Sequence, residues 1–379
     1  MLTAGIGRTV ITPPLPVALA GFGEPQLASD VHDDLEAVAL LVRSDDPSMG
    51  SVCLVVCDLL GMSPEFSTPC RRAVAGALGL DLGAVLVACT HTHSGPSAQR
   101  GTRALGWVTP DGYADTLADG CRAAALDAAA NARRTTARYV RAPLPRDLSV
   151  NRRGHPYDPW FAAIDFGDAG VLANIGVHPV ALGPECLAVS RDWVGSFRDE
   201  LAVRTARPTL MLSSALGDVN PAHVHRQSNE CTRDGFAEAH ALGVELAQVV
   251  DASLSSSGAS LEDAGVRVVA SRELDVPIGG TPLAAARREA AIRVELVEWA
   301  IGPLRVVSIP GEAFHALGRE VDEARGGLTI LAGLAPSWHG YFPVPYMDGG
   351  YEERTSFGPG AVAAIRNALL NVPVLPDSR

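Results

Sequence analysis

Short apolar runs closed by polar or turn residues recur along this chain. Runs of this kind predict strands buried on both faces. They fall at Ala37–Arg43, Val52–Asp58, Ala84–Cys89, Val171–His178, Thr209–Ser213 and Leu328–Ala332, with an earlier strand closed by prolines at Val10–Pro14. Val266–Val276 and Val294–Ile309 also read as β-rich. Between them, helical patterns cover Ser67–Leu78, Asp111–Arg133, Arg191–Arg204, Gly235–Ser253, Pro282–Ile292, Glu312–Ala324 and Gly360–Leu370. Ser67 or Thr68 is the expected cap of the first. This alternation predicts an α/β fold with a mixed central sheet and flanking helices. No repeat interrupts it. Residues 1–379 read as one large domain, with a subdomain junction placed near 255–262 at the Ser255–Gly258 linker.

Composition narrows the function. All 31 basic residues are arginine, so Schiff-base and P-loop lysines are excluded. A net charge of -12 without a basic run argues against nucleic acid and anionic membranes as partners. No apolar stretch is long enough to span a bilayer, which predicts no stable membrane insertion. Met1–Arg8 lacks the charged-then-apolar order of an export signal, so a cytoplasmic protein is expected. The seven cysteines form no CxxC pair and read as small buried thiols of a reducing compartment.

The chemistry sits where apolar runs stop. Ala84–Cys89 runs into Thr90-His91-Thr92-His93-Ser94-Gly95-Pro96, and in an extended chain His91 and His93 share a face. Ala173–Val177 ends in His178, and Arg305–Ile309 ends in a Pro-Gly turn before Glu312. Leu328–Ala332 leads to Tyr341. Two imidazoles, a carboxylate and one further oxygen suit Zn²⁺, with water completing the site. Plainer roles stay open at this point. Glu312 could cap the helix it opens, Tyr341 could be an ordinary half-buried tyrosine, and Arg152 beside Arg153 could be a surface pair. Asp218 could orient a ligand or hold its Gly-Asp turn. Arg191-Asp192 is an ion pair or a site element. His155 and His339 read as loop residues, and His223 and His225 as a pocket mouth or a solvated loop. Loops Gln99–Thr109 and Ala222–Thr232 are expected to wall the pocket.

Together these segments resemble the catalytic domain of the neutral ceramidases, zinc amidases that cleave the N-acyl bond of ceramide. The likeness is carried in order by Ala4–Arg8, Val31–Leu35, Thr90–Pro96, Ser149–Arg152, His178-Pro179, Ser190–Gly195, Gly217–Pro221, Ile309–Glu312, Gly340-Tyr341, Gly349–Glu352 and Phe357–Pro359. The resemblance implies His91, His178, Glu312 and Tyr341 as zinc ligands, with His93 and Arg152 lining the site. Zinc would activate a water and polarise the carbonyl. His93 would pass a proton to the leaving amine, and Arg152 would face an oxyanion or a substrate carboxylate.

Three departures qualify what the resemblance implies. Asn220 stands where ceramidases carry a serine, and it cannot be a nucleophile, although it can donate to an oxyanion. Neither the ceramidase C-terminal β domain nor an export signal is expected from this sequence. The expected activity is therefore zinc-dependent hydrolysis of an amide in a soluble small molecule. Alternatives are acyl transfer or cyclisation at the same zinc, a ceramidase proper, and a scaffold in which zinc is structural.

Overall fold

A computed structural model describes the chain except residues 24–25, 47–48, 100–107, 227–234, 257, 262–264, 288 and 372–379, and the side chains of 225 and 226. Mixed α/β architecture is observed, but its strands divide among three main mixed sheets instead of one. The first sheet orders Val85–Cys89, Ser51–Cys57, Glu36–Ser44, Leu2–Val10 and Arg133–Thr135. In the second the order is Thr209–Ser213, Val171–Ile175, Trp160–Asp165, Arg138–Pro143 and Ala259–Ser260. The third orders Val266–Pro277, Ala291–Ile301, Leu304–Ile309 and Thr329–Gly333.

Every pairing in these sheets is antiparallel except one per sheet. The parallel pairs are Ser51–Cys57 with Val85–Cys89, Val171–Ile175 with Thr209–Ser213, and Leu304–Ile309 with Thr329–Gly333. Each lies at a sheet edge, and the edge strands Val85–Cys89, Thr209–Ser213 and Thr329–Gly333 pack against one another. Parallel neighbours put their carboxyl ends on the same side, where open α/β sheets build their sites. Three such ends are thus brought to one place. Buried side chains hold them there: Ser213 Oγ donates to Thr90 O at 2.8 Å, and Asn174 exchanges bonds of 2.9 and 3.0 Å with the backbone of Leu331.

The inner faces share one apolar core, including Ile6, Leu40, Leu54, Leu86, Ile164, Leu212, Trp299 and Ile330. Helices cover the outer faces. Pro64–Leu78 and Tyr113–Ala130 pack on the first sheet, Trp193–Thr205 and Gly235–Leu254 on the second, and His315–Glu323 and Pro359–Leu370 on the third. This double covering explains why the strands read as continuous apolar runs.

Several expected boundaries move. The first helix begins a turn earlier, behind Ser63 with Pro64 in its first position, so neither Ser67 nor Thr68 caps it. Only Pro282–Ala285 of the expected helix Pro282–Ile292 is helical, because Ala291 pairs with Pro277 in a long hairpin. Glu312 lies outside its expected helix: Glu312–Ala313 bridges Tyr341–Phe342 in parallel, and the helix starts at His315. Arg138–Pro143 and Trp160–Asp165 are strands that the apolar pattern did not reveal. Near the expected junction, Ala259 and Ser260 pair with Tyr139 and Arg138, while 257 and 262 lie outside the described residues.

Candidate metal centre and catalytic pocket

The strand Val85–Cys89 stops before the histidines, and His91 takes a left-handed conformation, φ 76°. The shared-face geometry of an extended chain therefore does not apply. The rings still meet: centroids of His91 and His93 are 5.1 Å apart, and those of His91 and His178 are 4.9 Å apart. Nitrogens of His91, His93 and His178 all lie within 4.8 Å of one another, a group able to hold a metal ion.

The tautomers follow from the hydrogen bonds. His91 Nδ1 donates to Leu60 O at 2.5 Å, and His178 Nδ1 donates to Leu216 O at 2.7 Å. With Nδ1 as the donor, a ring that carries no second proton turns an Nε2 lone pair inward. Both lone pairs face Glu312 Oε2, at 3.1 Å from His91 and 3.2 Å from His178. Three electron-rich atoms this close repel unless a cation or a shared proton lies among them. Anchoring of the outer ring nitrogen is also the usual support of a ligating histidine. The donor chemistry thus fits a divalent cation. Trp338 Nε1 donates to Glu312 Oε1 at 2.9 Å and fixes the carboxylate.

Burial pushes the His178 imidazole down to about 4, against the opposing pull of Glu312, so it is neutral near pH 7. Burial would raise the Glu312 carboxyl, but a proton carried at the facing Nε2 of His91 or His178, the place a bound cation would take, holds it well below its ordinary value. Burial and the neighbouring imidazoles also keep His93 neutral, and neither of its ring nitrogens has a hydrogen-bond partner. Gly21, at φ 117°, runs beside that ring, and a Cβ there would lie 2.4 Å from His93 Nδ1.

Arg152 is no surface residue. Its Nε donates to Glu352 at 2.9 Å, Nη1 to Asn220 Oδ1 at 3.1 Å, and Nη2 to Gly217 O at 2.6 Å and the Tyr341 hydroxyl at 3.3 Å. A guanidinium only donates, so the Asn220 atom facing it is the oxygen. The Asn220 amide NH₂ is left for another acceptor. The pairing of Ser149–Asn151 with Val219–Pro221 sets Asn220 beside Arg152. Burial and Glu312 raise the Tyr341 phenol well above its ordinary value.

His93, His178, Arg152, Asn220 and Tyr341 line one cavity of about 360 Å³, whose remaining walls include Phe22, Val180, Pro184, Val224, Glu238 and Tyr351. The crystal structure of neutral ceramidase from Pseudomonas aeruginosa matches this chain with a TM-score of 0.81 at 17% identity, over 100% of this chain and 76% of that one. A structure of ceramidase complexed with C2 matches with 0.77 at 15% identity, over 99% and 77%. The chain has a neutral-ceramidase fold. No protein-family model matches it, and no curated protein matches its sequence.

Within this neutral-ceramidase fold, the other expected site residues divide clearly. Asp218 holds its loop by accepting from Asn151 Nδ2 at 2.6 Å and from His315 N at 2.8 Å. Arg191 pairs with Asp33, Glu36 and Asp199. Asp192 caps Trp193–Thr205 and accepts from the backbone of Leu182, and Trp193 Nε1 donates to His178 O at 3.1 Å, which fixes the segment after His178. His155 lies 3.7 Å from Asp218, and His339 is buried beside Ser337. His223 lines the cavity from the short helix Ala222–Arg226, whereas residues 100–107 and 227–234 of the expected wall loops lie outside the described residues, as does Cys231. The other six cysteines are free thiols, five of them buried. No helix among the described residues is long and apolar enough to cross a membrane. Sequence reasoning missed Trp338, Glu238 and the cavity role of Tyr351. Only Tyr351 sat within a family-like segment.

Proposed function

We propose that the protein is a zinc-dependent amidohydrolase that splits an N-acyl bond of a compact small molecule, with His91, His178, Glu312 and Tyr341 as the ligands. The convergence of two anchored imidazole lone pairs on one carboxylate oxygen carries this reading. The neutral-ceramidase fold supports amide hydrolysis over other zinc chemistry. When bound, zinc supplies a Lewis acid that acidifies water and polarises a carbonyl.

The chain's own groups do the rest. His93 is neutral, faces the cavity and has both nitrogens free, so it can move a proton to the departing amide nitrogen. We assign it proton transfer and not ligation, because neither nitrogen is anchored as those of His91 and His178 are. Arg152 and the Asn220 NH₂ are donors placed to stabilise charge on the carbonyl oxygen. The cavity lies near the small end of ordinary ligand pockets, about 300–1,000 Å³, which favours a compact amide over a long-chain lipid. The net charge of -12 disfavours nucleic acid and anionic membranes, so a soluble substrate met in the cytoplasm is the reading we adopt.

Metal content of the purified protein tests this first, wild type beside His91→Ala and His178→Ala. About one zinc per chain is expected in the wild type, following the tetrahedral one-ion site, and none in either variant. Metal retained in both variants would overturn the assignment. A panel of soluble N-acyl compounds then tests hydrolysis.

A further inference from the structure

Among the described residues, one charge in the catalytic cavity has no counterpart. Glu238 lines it from the first turn of Gly235–Leu254. The cavity's cation, Arg152, is matched by Glu352 at 2.9 Å, and the carboxylate of Glu312 is turned to its two histidines. Among the described residues nothing pairs with Glu238. A helix N-terminus favours an acidic residue in its first turn, which accounts for a glutamate there but not for its facing the cavity.

We propose that the amide substrate carries a protonated amine and that Glu238 pairs with it. This rests on the amidohydrolase reading and adds the substrate's charge to it. Both carboxylate oxygens accept from an ammonium, and such charge-assisted bonds are among the strong ones. Phe22, Val180 and Tyr351 offer apolar wall for an alkyl linker between amide and amine. A neutral substrate of the same shape would instead strip water from Glu238 without replacing it, so selectivity arises from rejection as well as attraction.

Two series of amides test this on the zinc-loaded protein. One consists of mono-N-acetylated α,ω-diaminoalkanes, with the charge on the amine side. The other consists of ω-aminoacyl amides, with the charge on the acyl side. Each is compared with its methyl-terminated isostere, in the wild type and Glu238→Gln. Wild type should favour the ammonium form by about ten- to hundredfold in kcat/KM, mostly through KM, in one series. Glu238→Gln should bring that ratio near one, raising KM for the ammonium forms and lowering it for the methyl-terminated amides, which no longer desolvate a carboxylate. A preference that persists in Glu238→Gln, or none in the wild type, overturns the proposal. Ureas of the same two shapes, which resist hydrolysis, give a binding readout by calorimetry. Tighter binding of the charged urea that is lost in Glu238→Gln supports the pairing even if no amide turns over, and that result would sink only the amidohydrolase reading. Equal binding of charged and neutral ureas overturns the pairing.

Discussion

At the scale of single residues, the site is defined by which atom each side chain has left to offer. Backbone carbonyls occupy the Nδ1 atoms of His91 and His178, so Nε2 is what they present. Arg152 occupies the Asn220 oxygen, so its NH₂ is what remains. An oxyanion donor removed from a water-poor site costs about 100- to 1,000-fold in kcat. Asn220→Ala is therefore expected to lower kcat by about a hundredfold or more, while metal content and thermal midpoint stay near those of the wild type. Steady-state kinetics beside metal analysis reads this, and an unchanged kcat would remove Asn220 from the chemistry. The imidazoles of this site were legible in the sequence because each follows an apolar run. Trp338 was not, because nothing local distinguishes a tryptophan that orients a carboxylate from one that packs.

At the scale of elements, the carboxyl ends of three parallel edge pairs deliver the site. Asn174 ties two of those pairs together. It donates to Leu212 O at 3.0 Å and Leu331 O at 2.9 Å, and accepts from Leu331 N at 3.0 Å, wholly buried. Removing it leaves buried backbone groups unpaired, each costing about 1–3 kcal/mol. Asn174→Ala should therefore destabilise the fold by about 3 kcal/mol or more in denaturant unfolding. A loss below about 1 kcal/mol would show that water or relaxation replaces the bridge. The strands Glu36–Ser44, Ser51–Cys57 and Thr209–Ser213 agree closely with their sequence reading, since their apolar residues are buried on both faces. Pro282–Ile292 failed as a helix because hairpin pairing from Pro277 and Ala291 onward outweighs the local preference of its alanines and arginines. Glu312 left its expected helix for a similar reason: its N–H donates to Gly340 O at 2.9 Å in the parallel bridge that sets it in register with Tyr341, the residue whose hydroxyl then stands beside it.

At the scale of the whole molecule, neutral histidine is buried in several places, and acid stability follows from it. Burial lowers the imidazoles of His315, His339, His178 and His93 below their ordinary 6.5. The unfolded chain therefore binds more protons than the fold at pH values under 6.5, and stability is lost as pH falls through that window. Asp33, which burial would raise but Arg191 and His32 hold down, adds a second loss below its unfolded value of 3.8. Chelated, metal-free protein should lose unfolding free energy steadily on acidification from pH 6.5, and His315→Gln should remove about one proton from the slope. A flat profile down to about pH 5 would contradict this. Local order along the chain was enough to determine the α/β class and most strands of the three main sheets, and to single out the histidines, Glu312 and Tyr341 as polar residues after apolar runs, because apolar periodicity and strand-end residues are local properties; Arg152 was singled out only by the family resemblance. Tertiary structure alone decided that three sheets share one core, that Glu312 belongs to a bridge with Tyr341, that Asn220 offers its NH₂, and that Glu238 faces the cavity. Each of these depends on which distant backbone or side chain claims an atom, and sequence separation carries no record of that competition.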